Sequence, residues 1–136
     1  MRPTLLLAAV LVSACGIPAH SPMMLPGEDC QSCHSGERAQ QWTLAGTLYS
    51  SPSAATDAGL EGARVLVTDA NGRALTLRTN GAGNFYTAES LVFPLHVEVQ
   101  KDGVSVGMAM AVPSGSCNAC HTQPPLNGAP GRIYLT

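Results

Sequence analysis

Short segments of alternating hydrophobic and polar residues fill the middle of the chain, and turn-forming residues separate them. Seven such segments each predict a β-strand: residues 42–49, 64–68, 74–79, 83–87, 95–100, 104–111 and 132–135. Asn80-Gly81 and Lys101-Asp102-Gly103 supply tight turns of the kind that join antiparallel neighbours. The pattern predicts a mainly β protein, a single antiparallel Greek-key β-sandwich.

The middle of the chain also resembles a known sandwich family. The matching residues run from Gly62 to Asp69, through Asn71-Gly72, and from Thr79 to Tyr86. They are similar to the carboxypeptidase-regulatory or transthyretin-like family, and the resemblance covers about half the chain. It implies a seven-stranded Greek-key sandwich without catalytic residues.

The N-terminal residues follow a different pattern. Arg2 precedes an apolar run at residues 5–12 that is too short to span a bilayer, which predicts a secretory signal peptide over residues 1–14. Residues 12–15, with the sequence VSAC, resemble a bacterial lipobox. That resemblance implies lipidation of Cys15 and anchoring at the outer membrane, facing the periplasm or the cell surface. The alternative is ordinary signal cleavage that leaves Cys15 as a free thiol.

Composition restricts the partners. The chain of 136 residues has room for one domain, and its formal charge is −2 with 12% charged residues. No basic run is present, so nucleic acid is not an expected partner.

The other four of the five cysteines fall into two identical frames. Residues 30–34 (CQSCH) and 117–121 (CNACH) are both C-x-x-C-H, the attachment signature of c-type haem. Two thiols at this spacing reach the two vinyl groups of one porphyrin, and the next histidine lies under the ring, where its imidazole binds iron. The sequence therefore predicts two covalently bound c-type haems. The residues that hold them are Cys30, Cys33, Cys117 and Cys120, with His34 and His121 as iron ligands.

Three other interpretations of these four cysteines stay open. Two disulfides suit an exported protein but do not explain why a histidine follows both pairs. A tetrathiolate zinc site would join pairs about eighty residues apart, much farther than in compact zinc ribbons. A thioredoxin-like pair requires a βαβ setting that the pattern lacks.

The motifs divide the chain into segments. These are a signal peptide (1–14), a lipidated tether (15–29), a first haem-binding segment (30–41), the β-sandwich (42–112), and a second haem-binding segment with a closing strand (113–136). The whole arrangement resembles small dihaem c-type cytochrome lipoproteins of the myxobacterial type, which have segments like residues 24–27 before the first motif and 128–133 after the second. The placements of Met24 and Met108 before the two motifs match that group.

The sixth position on each iron separates an electron carrier from an enzyme. The possible sixth ligands are Met24, Met108, His20, His96 and Met110. Met108 and Met110 are expected on one face of a strand, where they could instead fill a core. His96 is expected within a strand, where an outward, solvated side chain is the alternative. Arg38 and Arg132 are candidate partners of the haem propionates.

These observations predict an exported, lipid-anchored dihaem cytochrome. It would pass single electrons between redox protein partners and would not be an enzyme. One alternative is a haem enzyme or gas sensor with an open iron position. Another is an adhesion or assembly subunit of a larger multihaem complex.

Overall fold

A computed structural model describes residues 21, 23–37 and 39–136. Its seven strands form two sheets, which confirms the predicted β-sandwich. The strands are β1 (Leu44–Tyr49), β2 (Arg64–Thr68), β3 (Ala74–Arg78), β4 (Asn84–Thr87), β5 (His96–Lys101), β6 (Val104–Gly107) and β7 (Ile133–Tyr134). Each overlaps a segment that the sequence predicts. The signal peptide, Cys15, His20 and Arg38 lie outside the described residues.

The strand order is β4-β1-β7 in one sheet and β3-β2-β5-β6 in the other. The four-stranded sheet is antiparallel throughout, and β1 is antiparallel to β4. In contrast to the all-antiparallel expectation, β7 runs parallel to β1. The segment that precedes β7 also runs parallel to β1, and its Ser116 forms a parallel bridge with Ala45.

The core lies between the two sheets, and the alternation of each strand decides which side chains enter it. In β2, Val65 and Val67 are buried while Arg64 and Thr68 are exposed, as the period of two requires. The full cluster consists of Leu44, Leu48, Ala63, Val65, Val67, Phe85, Leu95, Val99 and Leu135. Burial of each large member contributes about 1.5–3 kcal/mol.

Strand β1 departs from this alternation because all six of its residues are buried. Leu44 and Leu48 belong to the core cluster. Thr47 and Tyr49 belong to the opposite face, where they contact the segments that carry the two cysteine motifs. The central strand is thus covered on both faces, and the motifs are built directly onto it.

The prediction that residues 108–111 continue β6 is wrong. Glu98 pairs with Gly107, whereas Leu95 pairs with Val112, so four residues of this segment face two residues of the preceding one. The two extra residues cannot join the ladder and therefore bulge out of it. Met110 is consequently 77% exposed and does not fill a core.

Candidate functional site

The two cysteine motifs adopt the same backbone conformation. Each begins with a short 3-10 turn, Cys30–Ser32 in the first and Cys117–Ala119 in the second. The residue that ends each turn has nearly the same dihedral angles: φ −107° and ψ −34° at Cys33, φ −106° and ψ −45° at Cys120. Two copies of one five-residue pattern therefore give two copies of one local structure.

The turn also positions the histidine of each motif. The backbone N–H of His34 donates to the carbonyl of Cys30 at 2.9 Å, and that of His121 donates to the carbonyl of Cys117 at 3.0 Å. Each imidazole is thereby held one helical turn from the first cysteine of its own motif.

Both imidazole rings have a backbone carbonyl oxygen as their hydrogen-bond partner at Nδ1. Nδ1 of His34 lies 2.6 Å from the carbonyl oxygen of Gln40, and Nδ1 of His121 lies 3.0 Å from that of Gly131. A carbonyl oxygen only accepts, so Nδ1 is the protonated nitrogen of each neutral ring. Nε2 then carries the lone pair, which is the arrangement that metal-ligating histidines adopt.

Met24 lies directly at the free nitrogen of His34. Its Sδ is 3.2 Å from Nε2 of His34. Metal–nitrogen and metal–sulfur bonds of about 2.0 and 2.3 Å place opposed ligands about 4.3 Å apart, so this pair needs to open by about 1 Å to hold a metal between them. Met24 also has φ of +34°, a strained value for a residue with a side chain and one that is frequent at functional sites.

The other described candidates for a sixth ligand lie elsewhere. His96 is exposed and pairs with Thr68 in the four-stranded sheet, whereas both motifs contact β1. Met108 and Met110 are exposed in the bulge after β6. Among the described residues, no methionine or histidine side chain makes a polar contact with Nε2 of His121.

Asn118, inside the second motif, connects it to both β1 and the first motif. Its amide nitrogen donates to Thr47 Oγ1 at 3.0 Å and to the carbonyl of Glu28 at 2.8 Å, while its oxygen accepts from the backbone N–H of Thr47 at 3.0 Å. The side chain replaces a strand neighbour along the edge of β1 that β7 leaves unpaired. Nothing in the sequence distinguishes Asn118 from any other residue between the two cysteines of such a motif.

Asp29 makes a second connection between the motifs. Its Oδ1 accepts from the backbone N–H of Gln31 at 3.1 Å, which caps the first motif turn. The same oxygen accepts a hydrogen bond from the hydroxyl of Ser116, the residue before the second motif. The two motifs therefore lie side by side, an arrangement that the sequence leaves undecided.

The bonding state of the motif cysteines bears on the disulfide and zinc interpretations of these residues. Cys30, Cys117 and Cys120 are free, so the four motif cysteines do not form two disulfides with one another. Cys33 is disulfide-bonded, and attachment of a haem there requires that bond to be reduced first. Among the described residues, no three His, Cys, Asp or Glu side chains form a group able to hold a metal ion, so a tetrathiolate zinc site is not assembled.

Burial keeps two of these thiols protonated. It raises the pKa of Cys30 to about 11, and the Asp29 carboxylate adds to the rise. It raises the pKa of Cys117 to about 12, and Cys30 adds to that rise. A reactive thioredoxin-like thiolate needs the opposite shift, so this environment disfavours that interpretation.

Two buried side-chain nitrogens lack a hydrogen-bond partner among the described residues. They are Nε1 of Trp42 and Nε of Arg132. The Trp42 and His34 rings are in contact, with centroids 5.1 Å apart. Arg132 directly follows Gly131, whose carbonyl holds His121. Unpartnered buried donors are rare in proteins, so each of these two calls for an acceptor beyond the described residues.

Comparisons with protein-family models, with curated proteins and with solved structures found no match for this chain. No helix among the described residues has the length and apolar character needed to cross a membrane.

Proposed function

We propose that this protein is an exported dihaem c-type cytochrome that transfers single electrons between redox protein partners and is not an enzyme. One observation carries the proposal: both C-x-x-C-H turns have the same conformation, and in both the Nδ1–H of the histidine donates a hydrogen bond to a backbone carbonyl. That arrangement leaves Nε2 of His34 and of His121 as metal-binding atoms.

Different groups of the chain have different roles in the proposed haem sites. The cysteine thiols of each motif would hold a haem covalently, and the imidazole of each motif would supply an iron ligand. The carbonyls of Gln40 and Gly131 orient these imidazoles. When bound, each haem supplies an iron that accepts and releases one electron. Met24 is the proposed sixth ligand at the first site, since its sulfur already lies against Nε2 of His34.

The contact between the motifs supports electron exchange within the protein. Asn118 hydrogen-bonds to Glu28, two residues before the first motif, and Ser116 hydrogen-bonds to Asp29, one residue before it. These hydrogen bonds connect the second motif directly to the residues just before the first motif. Electrons that enter at one site would thus have a short path to the other.

The direct test is to produce the full chain in a host with c-type haem maturation, then to record its intact mass and its reduced visible spectrum. We expect a mass increase of two haems per chain and a c-type spectrum. The matched control replaces Cys117 and Cys120 with Ser, which should leave one haem. A wild-type protein without covalent haem would refute the proposal and leave a thiol-containing sandwich protein.

A second candidate function is favoured by the difference between the two sites. Met24 contacts His34, but no described methionine or histidine contacts His121 in the same way. An open iron position at the second site would suit a peroxidase-like or gas-binding protein. Carbon monoxide distinguishes the two functions, because it binds readily only to an iron with an open position.

We also propose that the protein is held at the outer membrane through a lipid on Cys15. The lipobox-like residues 12–15 support this proposal, and they lie outside the described residues. Cell fractionation tests it: the wild type should sediment with membranes and the Cys15→Ala variant should not. Equal distribution of the two proteins would exclude the anchor.

A further inference from the structure

The guanidinium group of Arg132 is buried and forms no ion pair among the described residues. Arg132 is only 7% exposed, and its terminal nitrogens donate to Tyr49 Oη at 3.0 Å and to Thr56 Oγ1 at 3.2 Å. The group also lies over the Tyr49 ring, with Cζ 4.4 Å from the centroid. These neighbours are neutral, and the one ion pair among the described residues, between Arg73 and Glu89, lies elsewhere.

A permanently charged side chain is costly to bury unless an anion and further hydrogen bonds compensate it. Arg132 has neutral acceptors for two of its nitrogens and none for Nε. A carboxylate fits this need, because its two oxygens can accept from adjacent N–H groups of one guanidinium. A carboxylate would therefore supply the acceptor that Nε of Arg132 does not have among the described residues.

Trp42, which contacts the first motif, also has a buried nitrogen without a hydrogen-bond partner. Its ring lies between His34 and Tyr86, with the centroid of the Tyr86 ring 4.6 Å away. The backbone N–H of Trp42 donates to the carbonyl of His34 at 2.9 Å, so the indole is tied to the motif. Its Nε1 is a donor only, and it is buried without an acceptor.

We propose that Trp42 and Arg132 each anchor a haem propionate, Trp42 that of the haem on the first motif and Arg132 that of the haem on the second. This inference rests on the proposed function. It assigns each of the two unpartnered donors to a propionate carboxylate, of which every bound haem would bring two. In this role Arg132 also places a positive charge beside the second site and favours its reduced state.

The test uses the holoprotein and the variants Trp42→Phe, Arg132→Gln and Arg132→Lys. Resonance Raman spectra report the propionate bending bands, and a redox titration reports the midpoint potentials of the two haems. Matched controls are Tyr86→Phe, which keeps the aromatic contact with Trp42, and Arg64→Gln, which removes an exposed arginine on the other sheet.

We expect Trp42→Phe and Arg132→Gln each to shift the propionate band and lower the midpoint potential of one haem, and not of the same one. Arg132→Lys should shift the band but lower the potential less, since it keeps the charge and loses the planar fork of donors. Bands and potentials equal to those of the controls in all three variants would overturn the inference while leaving the cytochrome intact. A wild-type protein without haem would instead refute the proposed function, and this inference with it.

Discussion

The amide nitrogen of Asn118 lies 2.8 Å from the carbonyl oxygen of Glu28 and so joins two segments ninety residues apart in sequence. Asn118 is 2% exposed and also hydrogen-bonds twice to Thr47. Its hydrogen bonds thus connect the second motif both to the segment before the first motif and to β1.

Replacement of Asn118 by Ala should destabilise the protein by about 1–3 kcal/mol, because it leaves the buried N–H of Thr47 without a partner. Urea unfolding measures this change. The control is Asn71→Ala at an exposed turn, which should alter stability by less than about 0.5 kcal/mol. Equal effects of the two substitutions would show that the Asn118 bonds contribute nothing.

Replacement of Met24 by Leu should remove the sulfur–iron charge-transfer band of the oxidised holoprotein and produce a high-spin fraction at one haem, because leucine fills the same space without a ligand atom. Near-infrared absorption measures this band. The neighbouring Met23→Leu and the bulge substitution Met108→Leu serve as controls and should retain it, since both side chains are largely exposed. Loss of the band in Met108→Leu alone would contradict the assignment.

Gly46 should not tolerate a side chain. A Cβ at this position would lie 2.6 Å from Phe85 Cζ and 2.9 Å from Cys117 Cβ, so Gly46→Ala should cost about 1–3 kcal/mol of stability through overpacking. It should also lower the haem content at the second motif by displacing Cys117. The control is Gly107→Ala, also in a strand, where the nearest atoms are 3.8 Å away and a neutral or slightly stabilising effect is expected. Chemical unfolding and haem content per chain are the measurements.

The Asp69 carboxylate should make stability depend on pH in acid. Desolvation opposes its ionisation, but hydrogen bonds from the backbone N–H groups of Arg73, Val92 and Asn71 outweigh this and lower the pKa of Asp69. Since the folded-state pKa lies below the unfolded one, the stabilisation is complete above the unfolded pKa and is lost as pH falls through the folded one.

The variant Asp69→Asn should therefore unfold more easily than the wild type at neutral pH, and the difference should shrink as the pH falls below about 4. Thermal unfolding between neutral pH and pH 3 measures both effects. Asp57→Asn, in an exposed loop, is the control and should follow the wild type. A gap between Asp69→Asn and the wild type that is the same at every pH would contradict the explanation.

The sequence by itself determined where the strands lie and where the two C-x-x-C-H frames occur. Alternation and turn residues located all seven strands, because side-chain period and turn chemistry are local properties. The two C-x-x-C-H frames could be read for the same reason, since their function requires a short, continuous spacing. The predicted end of β6 was wrong because of the bulge at residues 108–111. This bulge depends on how Leu95 and β5 pair with the residues on either side of it, and such pairing is not a local property of the sequence.

Only the tertiary structure decided which candidates lie together. Met24 was one of five possible sixth ligands, and the fold singles it out by bringing it to His34. The carbonyls of Gln40 and Gly131, which orient the two imidazoles, have no sequence signal because every residue carries the same backbone group. The proximity of the motifs was likewise undecided, since it depends on both segments lying along β1. Long-range contacts of this kind follow from packing around a shared core, which no local pattern specifies.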